Sequence, residues 1–544
     1  MLITALAGFL RLWQLTDYQQ RMSQDELVVG YDAWSIWLTR RDQYGAFLPI
    51  HFRTFNDYVP PVANYLTAPF VGLLGLSEFS TRLPFALLGT ASVLVVGLLG
   101  YRLLGRAAGL LAALLLAFEP WHLNYSRTAF PASLLPFFSV CAVYFFVEAI
   151  LSLRAGAKKP GRVRFWLVAS GLSFGLLFMS YPIEKLNAPV LALVCFAAAA
   201  RLLWKNKALL AIWVVAGLVT ASPVIYEQLF TWNTLQNRFN DVSIFAEKDW
   251  WLAYPRNYSS YYNPSLLFFD GFKAGVSLRI SGIGQLFWIE LGLWLVALVK
   301  LVRLWRNSGS LNVPVLLLGW FATFPLAASF TTTYPHETRS LNFLPLPELL
   351  AAYGAVVAWR GLRPVARAGF VGLIGLLFAV NVWVFLTGYF PERTALLNLS
   401  PDRIPANVGF GPIAREAANR LQPCDTLWVD DFLQGYIYYL FDNQYPPSRY
   451  QQDDKALKTG PKGGYVFVRW FGQVYIGMPR AADYLALPQS LKGCPDSDPT
   501  KGKVYWITRL PPDKWPETRL PWEALQVISN AKGEPLWTLA QLKQ

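Results

Sequence analysis

Residues 83–101 read Leu83-Pro-Phe-Ala-Leu-Leu-Gly-Thr-Ala-Ser-Val-Leu-Val-Val-Gly-Leu-Leu-Gly-Tyr101, a run without a charged side chain that ends at Arg102. A helix of about 20 apolar residues crosses the hydrocarbon core of a bilayer. The 544-residue chain is 54% hydrophobic and only 15% charged, which excludes a disordered or an ordinary water-soluble protein. Similar runs recur along the chain and predict eleven membrane-spanning helices, at residues 1–15, 83–101, 107–121, 131–152, 165–181, 188–203, 208–226, 286–302, 311–330, 340–358 and 368–388.

The net charge of +14 is distributed unevenly among the loops of the chain. One alternate set of loops holds 16 Lys and Arg residues and no Asp or Glu, at residues 102–106, 153–164, 201–207, 300–306 and 360–367. The rest of the chain has 32 basic and 34 acidic residues. Basic short loops face the cytoplasm, so the basic excess indicates topology rather than nucleic-acid binding. We therefore predict a multi-pass protein of the plasma membrane with a cytoplasmic N-terminus.

Two domains follow from this orientation: a transmembrane core, residues 1–390, and an extracytoplasmic α/β domain, residues 391–544. The second domain has a predicted helix near 411–421 and predicted strands at 426–430, 436–441, 464–470 and 503–508. Cys141 and Cys195 fall in predicted spans, whereas Cys424 and Cys494 fall in the domain outside. Since disulfides form in oxidising compartments, we predict a Cys424–Cys494 bond.

The first outside loop, residues 16–82, is much longer than a connector needs, which is typical of functional loops. Its start predicts an amphipathic helix at the membrane surface, with Leu27, Tyr31, Trp34, Trp37 and Leu38 on the apolar face. Ser23-x-x-Glu26 matches a capping box, in which a side chain at each position bonds to the backbone of the other. Helix capping explains the acid at Glu26 better than the acid at Asp25, so the alternative that the two carboxylates have different roles stays open.

The same loop carries motifs that resemble a known family. Asp25-Glu26, Gly30-Tyr31-Asp32-Ala33, Asp42-Gln-Tyr-Gly45, Asp57-Tyr58, Pro60-Pro61 and Arg82-Leu83-Pro84 look like the polytopic GT-C glycosyltransferases, and most resemble bacterial relatives of the protein O-mannosyltransferases and the lipid A aminoarabinose transferases. The likeness continues through 120–127, Asn257-Tyr258 and His336-Glu-Thr-Arg339, and so covers roughly residues 1–390.

This resemblance implies inverting transfer of a sugar from a polyprenyl-phosphate-linked donor to an extracytoplasmic protein, glycan or lipid. It implies Asp25 as the base that deprotonates the acceptor hydroxyl, with Glu26 beside it. Related enzymes often have a second carboxylate after the third span, but residues 128–132 contain none. Glu119 and Asp57 are the alternative acids, and Asp57 is predicted to bind substrate.

A departing phosphate needs cationic hydrogen-bond donors, for which the guanidinium fork is suited. Arg127 and Arg339 lie in short outward loops beside spans, and His336 accompanies Arg339. Both arginines and His336 are therefore predicted to bind the donor, the alternative for the arginines being side chains that reach from the interface to water. Tyr258 lies in the aromatic-rich outer loop 227–285, which suits stacking on a sugar, a mobile lid over the donor, or anchoring at the membrane interface.

All three histidines, His51, His122 and His336, fall in outward loops near an acid or an arginine. They suit a divalent metal together with Asp25 or Asp57, although their spacing is not diagnostic and chance explains it comparably well. The chain has no Gly-rich nucleotide loop, in keeping with a lipid-linked donor and no nucleotide cofactor. The rival functions are a transporter or lipid flippase, which predicts repeats and charges within spans, and a silent membrane scaffold.

Overall fold

The computed structural model describes residues 1–16, 22–55, 57–155, 160–230, 242–272, 282–305, 311–390, 408–430, 434–453, 455–459, 466–477, 502–510, 515 and 521–543. These residues form two compact units. The helical unit comprises Met1–Leu15, Val59–Ala63 and Arg82–Phe390, and the mixed unit comprises Thr16–Tyr58, Asn64–Thr81 and Pro391–Gln544. Most of the first outside loop is therefore grouped with the C-terminal segment, whereas the sequence division placed the whole loop with residues 1–390.

The helices of the helical unit alternate with short connections. They are α1 (Leu2–Leu12), α4 (Glu78–Leu104, which begins in the other unit), α5 (Arg106–Phe118), α6 (Pro120–Ser126), α7 (Leu135–Arg154), α8 (Pro160–Phe178), α9 (Glu184–Lys205), α10 (Lys207–Phe230), α11 (Trp250–Ser260), α12 (Trp288–Leu304), α13 (Val313–Thr323), α14 (Leu346–Gly361) and α15 (Pro364–Tyr389). Short helical turns lie at Pro131–Leu134, Ile244–Ala246, Leu266–Asp270, Ala328–Phe330 and Thr338–Phe343.

Each of the eleven predicted spans overlaps one of these helices, although some of the helices are shorter than the span. In the described part of the chain, six helical segments have the length and apolar composition needed to cross a membrane: Glu78–Leu104, Pro131–Arg154, Glu184–Lys205, Lys207–Phe230, Val313–Phe330 and Pro364–Tyr389. The number of eleven crossings stays a prediction. Small residues allow close packing: a Cβ on Gly171 of α8 would lie 2.5 Å from the carbonyl oxygen of Trp213 on α10.

The mixed unit contains α2 (Gln24–Thr39), most of α3 (Val62–Leu74), α16 (Phe410–Arg420), α17 (Gly435–Asp442) and α18 (Pro447–Gln452). Two short strands, β1 (Phe52–Thr54) and β2 (Asp57–Val59), pair with each other, although the end of β2 falls in the helical unit. The other strands are β3 (Thr426–Val429), β4 (Lys455–Thr459), β5 (Val466–Phe471), β6 (Val474–Ile476), β7 (Val504–Thr508), β8 (Trp522–Ser529) and β9 (Pro535–Leu542).

These seven strands form one sheet in the order β4-β5-β6-β3-β7-β9-β8. The central strand β3 is parallel to both of its neighbours, and the remaining pairs are antiparallel. All four residues of β3 are buried, as expected for a strand covered on both faces. The sheet, α16, α17 and α2 share one apolar core.

Two local predictions were wrong. Residues 436–441, expected to form a strand, lie in α17, because a short run that is buried all round has no periodicity that separates strand from helix. Helix α2 exists as predicted, but it is not an amphipathic surface helix. Its buried stretch is nearly continuous from Glu26 to Ile36, and it contacts α17 and α18, while Trp37 and Leu38 at its end remain exposed.

Candidate active site

The first turn of α2 contains the two acids for which the sequence left two duties open. Ser23 Oγ accepts a hydrogen bond from the Glu26 amide at 3.4 Å, and Glu26 Oε2 accepts one from the Ser23 amide at 3.0 Å. The predicted capping box is therefore confirmed, and it engages the buried Glu26 carboxylate with the backbone. Asp25 lies in the same turn and is half-buried.

Further along α2, the motif acid Asp32 is fully buried. Its Oδ1 accepts from the Gln43 amide at 2.9 Å and its Oδ2 from Gln43 Nε2 at 3.2 Å. Asp42 Oδ1 in turn accepts from the amides of Tyr44 and Ala46, each at 2.9 Å. Burial raises the pKa of Asp32 well above its usual range, and the neighbouring Asp42 charge adds to this. Asp32 and Asp42 thus stabilise the turn after α2, and both carboxylates are buried rather than exposed to a substrate.

Asp57 is the first residue of β2, which pairs with β1. Its side chain lies outside the described part of the structure, so its predicted substrate-binding role stays a prediction. Asn56, the preceding residue, is also outside the described residues.

Arg127 follows α6 and is fully buried. Its Nη1 donates to the carbonyl oxygens of Leu10, Arg11 and Trp13 at 2.6, 3.2 and 2.9 Å, and its Nη2 donates to that of Gln14 at 3.1 Å. The carbonyls at a helix C-terminus lack partners within the helix and favour a cation. These contacts therefore favour a role in capping α1 over the predicted binding of a donor phosphate, which stays a prediction.

His122 of α6 is held in a similar way by Arg11, which is also fully buried. Arg11 Nη2 lies 2.8 Å from His122 Nδ1, and the same guanidinium donates to the carbonyls of Leu116 and Ala117. Since a guanidinium only donates, Nδ1 is the acceptor and the ring proton is on Nε2. Because Nδ1 accepts the bond from Arg11, it is not available to coordinate a metal ion.

The loop that ends in Arg339 contains a second ordered cluster. Glu337 is buried; its Oε1 accepts from the Tyr125 hydroxyl at 2.7 Å and its Oε2 from Gln285 Nε2 at 3.0 Å. In the sequence Glu337 is only part of a motif, and Tyr125 and Gln285 carry no sign of this contact, because their partner is about 50 to 200 positions away in the chain. No local pattern indicates such a contact.

His336 and Arg339 differ from these buried residues. His336 Nδ1 lies 2.7 Å from Thr338 Oγ1. Burial, together with the charge of Arg339, lowers the pKa of His336 to about 3, so its ring is neutral at physiological pH. Arg339 is only half-buried, and its Nη1 donates to the Thr333 carbonyl at 3.5 Å, a long bond. Arg339 thus keeps more access to solvent than Arg127 does.

Tyr258 lies on α11 and faces the end of α13. Its hydroxyl donates to the Ala322 carbonyl at 2.5 Å and lies 3.2 Å from the Tyr262 hydroxyl. On the same helix, Asn257 Nδ2 donates to the carbonyls of Ser329 and Thr331. These contacts fix the helix within its unit, and stacking of Tyr258 on a sugar stays a prediction. Residues 231–241 and 273–281 of the predicted lid lie outside the described residues.

Among the described residues, no group of three or more His, Cys, Asp or Glu side chains has the arrangement of a metal site. Metal dependence stays a prediction.

Glu119, the alternative second acid, is fully buried and interacts electrostatically with the equally buried Glu290 and Glu348. Cys424 is disulfide-bonded, and Cys494, its predicted partner, lies outside the described residues.

Similar proteins support the fold. Residues 58–226 match the family described as dolichyl-phosphate-mannose-protein mannosyltransferase. ArnT from Cupriavidus metallidurans, solved with bound undecaprenyl phosphate, matches with a TM-score of 0.57 at 14% identity, over 99% of this chain and 97% of that one. The Archaeoglobus fulgidus oligosaccharyltransferase in its apo form matches with a TM-score of 0.51 at 14% identity, over 81% of this chain and 63% of that one.

No curated protein sequence matches this chain. At 14% identity the structural matches concern the fold. The protein is a multi-pass membrane protein with the fold of the GT-C glycosyltransferases, which confirms the resemblance identified from its sequence motifs.

Proposed function

We propose that the protein is a membrane glycosyltransferase that moves a sugar from a polyprenyl-phosphate-linked donor to an extracytoplasmic acceptor, with inversion at the anomeric carbon. The fold shared with ArnT over nearly the whole chain supports this function, as does the match of residues 58–226 to a mannosyltransferase family. The proposed location is the plasma membrane, with the N-terminus in the cytoplasm. The acceptor is a protein, a glycan or a lipid.

The capping box of α2 carries the assignment of the base. It engages the Glu26 carboxylate with the Ser23 amide, so Glu26 serves the helix. Asp25 is the other carboxylate of the same turn, and it is half-buried where Glu26 is buried. The surrounding helix is packed along most of its length, which is how a catalytic group is held in a fixed orientation.

The proposed reaction is a single displacement. Asp25 accepts the proton of the acceptor hydroxyl as the acceptor oxygen forms a bond with the anomeric carbon. The bond from that carbon to the phosphate oxygen breaks, and its electron pair leaves with the lipid phosphate. Because phosphate is a good leaving group, the reaction needs a cation to stabilise the leaving charge rather than a separate acid.

Arg339 is the arginine that best suits this second duty. Arg127 donates to four backbone carbonyls, whereas Arg339 is half-buried and makes a long bond to Thr333. The neighbouring His336 is neutral, since its pKa lies near 3, and so adds no positive charge of its own. We infer that Arg339 binds the donor phosphate and that His336 helps to shape the loop.

The experiment is a transfer assay with purified protein in nanodiscs. Undecaprenyl-phosphate-linked mannose, glucose and aminoarabinose are offered with Ser/Thr-rich peptide, oligosaccharide and lipid A as acceptors. We expect transfer and equimolar release of undecaprenyl phosphate. Arg339→Ala should raise the KM for the donor, while Arg367→Ala, which removes an arginine stacked on Trp359 in a predicted cytoplasmic loop, should not. Absence of transfer from every donor, with movement of the lipid across proteoliposomes, would favour a flippase instead.

A further inference from the structure

The segment Gly435–Gln452, which contains α17 and α18, contacts α2 at three places along that helix. All of these residues belong to the mixed unit. Helix α2 carries the proposed base, and the segment lies about 400 residues further along the chain. These contacts bear on how the Gly435–Gln452 segment holds α2 in place.

The first contact is at Gly30. A Cβ added there would lie 2.8 Å from Phe441 Cε2 and 2.7 Å from Thr81 Oγ1. Both distances are shorter than real Cβ contacts, so a side chain at position 30 would require the Phe441 ring and the Thr81 side chain to shift. The glycine therefore leaves room for the Phe441 ring of α17 to lie against α2.

The second contact is at Tyr31, which is fully buried. Its hydroxyl donates to the Tyr445 carbonyl at 2.8 Å. Its ring meets that of Tyr450 edge to face, with 6.3 Å between the ring centroids. This side chain thus fixes the rotation of α2 about its own axis relative to the Gly435–Gln452 segment.

The third contact is made by Gln451 at the end of α18. Its Nε2 lies 3.0 Å from Ser35 Oγ, 2.9 Å from Thr39 Oγ1 and 2.9 Å from the Asp42 carbonyl oxygen, so its two N–H groups are shared among three acceptors. One amide thereby joins the last turns of α2 to the turn that follows. The sequence gives no sign of it, because nothing near Gln451 distinguishes it from the adjacent Gln452, which is exposed.

We infer that Tyr31 and Gln451 are positioning residues, through which the Gly435–Gln452 segment sets the orientation of α2 and so the place of the Asp25 carboxylate. This inference rests on the proposed function, because it gives Asp25 the role of base. It assigns the Gly435–Gln452 segment a part in placing the proposed base for the reaction of donor and acceptor.

Simple geometry gives the size of the effect. With a rise of about 1.5 Å per residue, Asp25 lies roughly 9 Å along the axis from Tyr31. If loss of the Gln451 bonds lets α2 tilt by about 6° about Tyr31, the Asp25 carboxylate moves by about 1 Å. Displacement by about 1 Å can cost about 100-fold in rate, so even a smaller tilt should lower kcat about tenfold.

The test compares Gln451→Leu with the matched control Gln452→Leu in nanodiscs. The kcat and KM are measured with undecaprenyl-phosphate mannose and the acceptor that supports transfer, and amide hydrogen exchange is followed in Gln24–Thr39. We expect Gln451→Leu to lower kcat about tenfold with an unchanged KM for the donor, and to speed exchange in α2. The control should match the unchanged protein. Tyr31→Phe, which keeps the buried ring, should give a smaller effect of the same kind.

A purely structural role would instead lower the amount of folded protein and leave kcat per folded molecule unchanged. That result, or unchanged exchange in α2, would overturn the positioning role while transfer by the unchanged protein kept the proposed function. If the unchanged protein transferred no sugar from any donor, the proposed function and this inference would both fail.

Discussion

Replacing Arg127 with alanine tests whether this guanidinium supports the fold or binds the donor. The side chain donates four hydrogen bonds to carbonyls at the end of α1. A hydrogen bond to a charged group contributes about 1.5–3 kcal/mol, but four bonds from one group do not add. Removing the guanidinium leaves these buried carbonyl oxygens without their donor, and an unsatisfied buried group costs about 1–3 kcal/mol, so we expect Arg127→Ala to lower the free energy of unfolding by about 3 kcal/mol.

The assay is SDS-induced unfolding in mixed micelles, followed by near-UV circular dichroism. The free energy of unfolding of Arg127→Lys should fall between those of the unchanged protein and Arg127→Ala, because a single ammonium cannot reach all four carbonyls. The control, Arg339→Ala, changes a half-buried residue with one long bond and should alter the free energy by less than about 0.5 kcal/mol. Normal stability of Arg127→Ala, combined with lost binding of undecaprenyl phosphate, would refute the capping role and restore Arg127 as a phosphate ligand.

Three further substitutions examine the local contacts. Ser23→Ala removes half of the capping box and should cost about 1 kcal/mol and speed hydrogen exchange in the first turn of α2; unchanged exchange would argue against the cap. The raised pKa of Asp32 means that the folded protein loses stability as the pH rises from about 4, so Asp32→Asn should flatten the pH dependence of stability. Thermal unfolding measured from pH 4 upward checks this, and an equal change of stability with pH in the variant and the unchanged protein contradicts it. Glu337→Gln brings an amide against Gln285 and should cost about 1–3 kcal/mol in SDS unfolding, whereas a neutral result would mean that the Tyr125 and Gln285 bonds contribute little.

Local patterns predicted the helical part of the fold well. The run 83–101 lies within α4, and 208–226 lies within α10, because a charge-free run of that length has one stable form in a bilayer. The capping box was also readable, since both partners lie within four residues of each other. What local patterns missed are contacts between distant segments, such as Gln451 with Ser35 and Tyr125 with Glu337.

The candidate site shows the same limit. Arg127 and Arg339 look alike in sequence, each a cation in an outward loop beside an apolar span. Only the structure distinguishes them, by placing one guanidinium against four carbonyls and leaving the other half-buried. In the same way, α2 has the composition of an interfacial helix, but its tyrosine and serine side chains find partners in the Gly435–Gln452 segment.

The role of Asp25 is tested most directly by kcat for sugar transfer from undecaprenyl-phosphate mannose, or from whichever donor of the panel is active, in Asp25→Asn and Glu26→Gln. Glutamine is also accepted at the Glu26 position of a capping box, so this second variant is a matched control. We predict that Asp25→Asn lowers kcat by about 10²–10⁴-fold and that Glu26→Gln keeps most of the activity. Equal turnover by Asp25→Asn and the unchanged protein would contradict the assignment of Asp25 as the base.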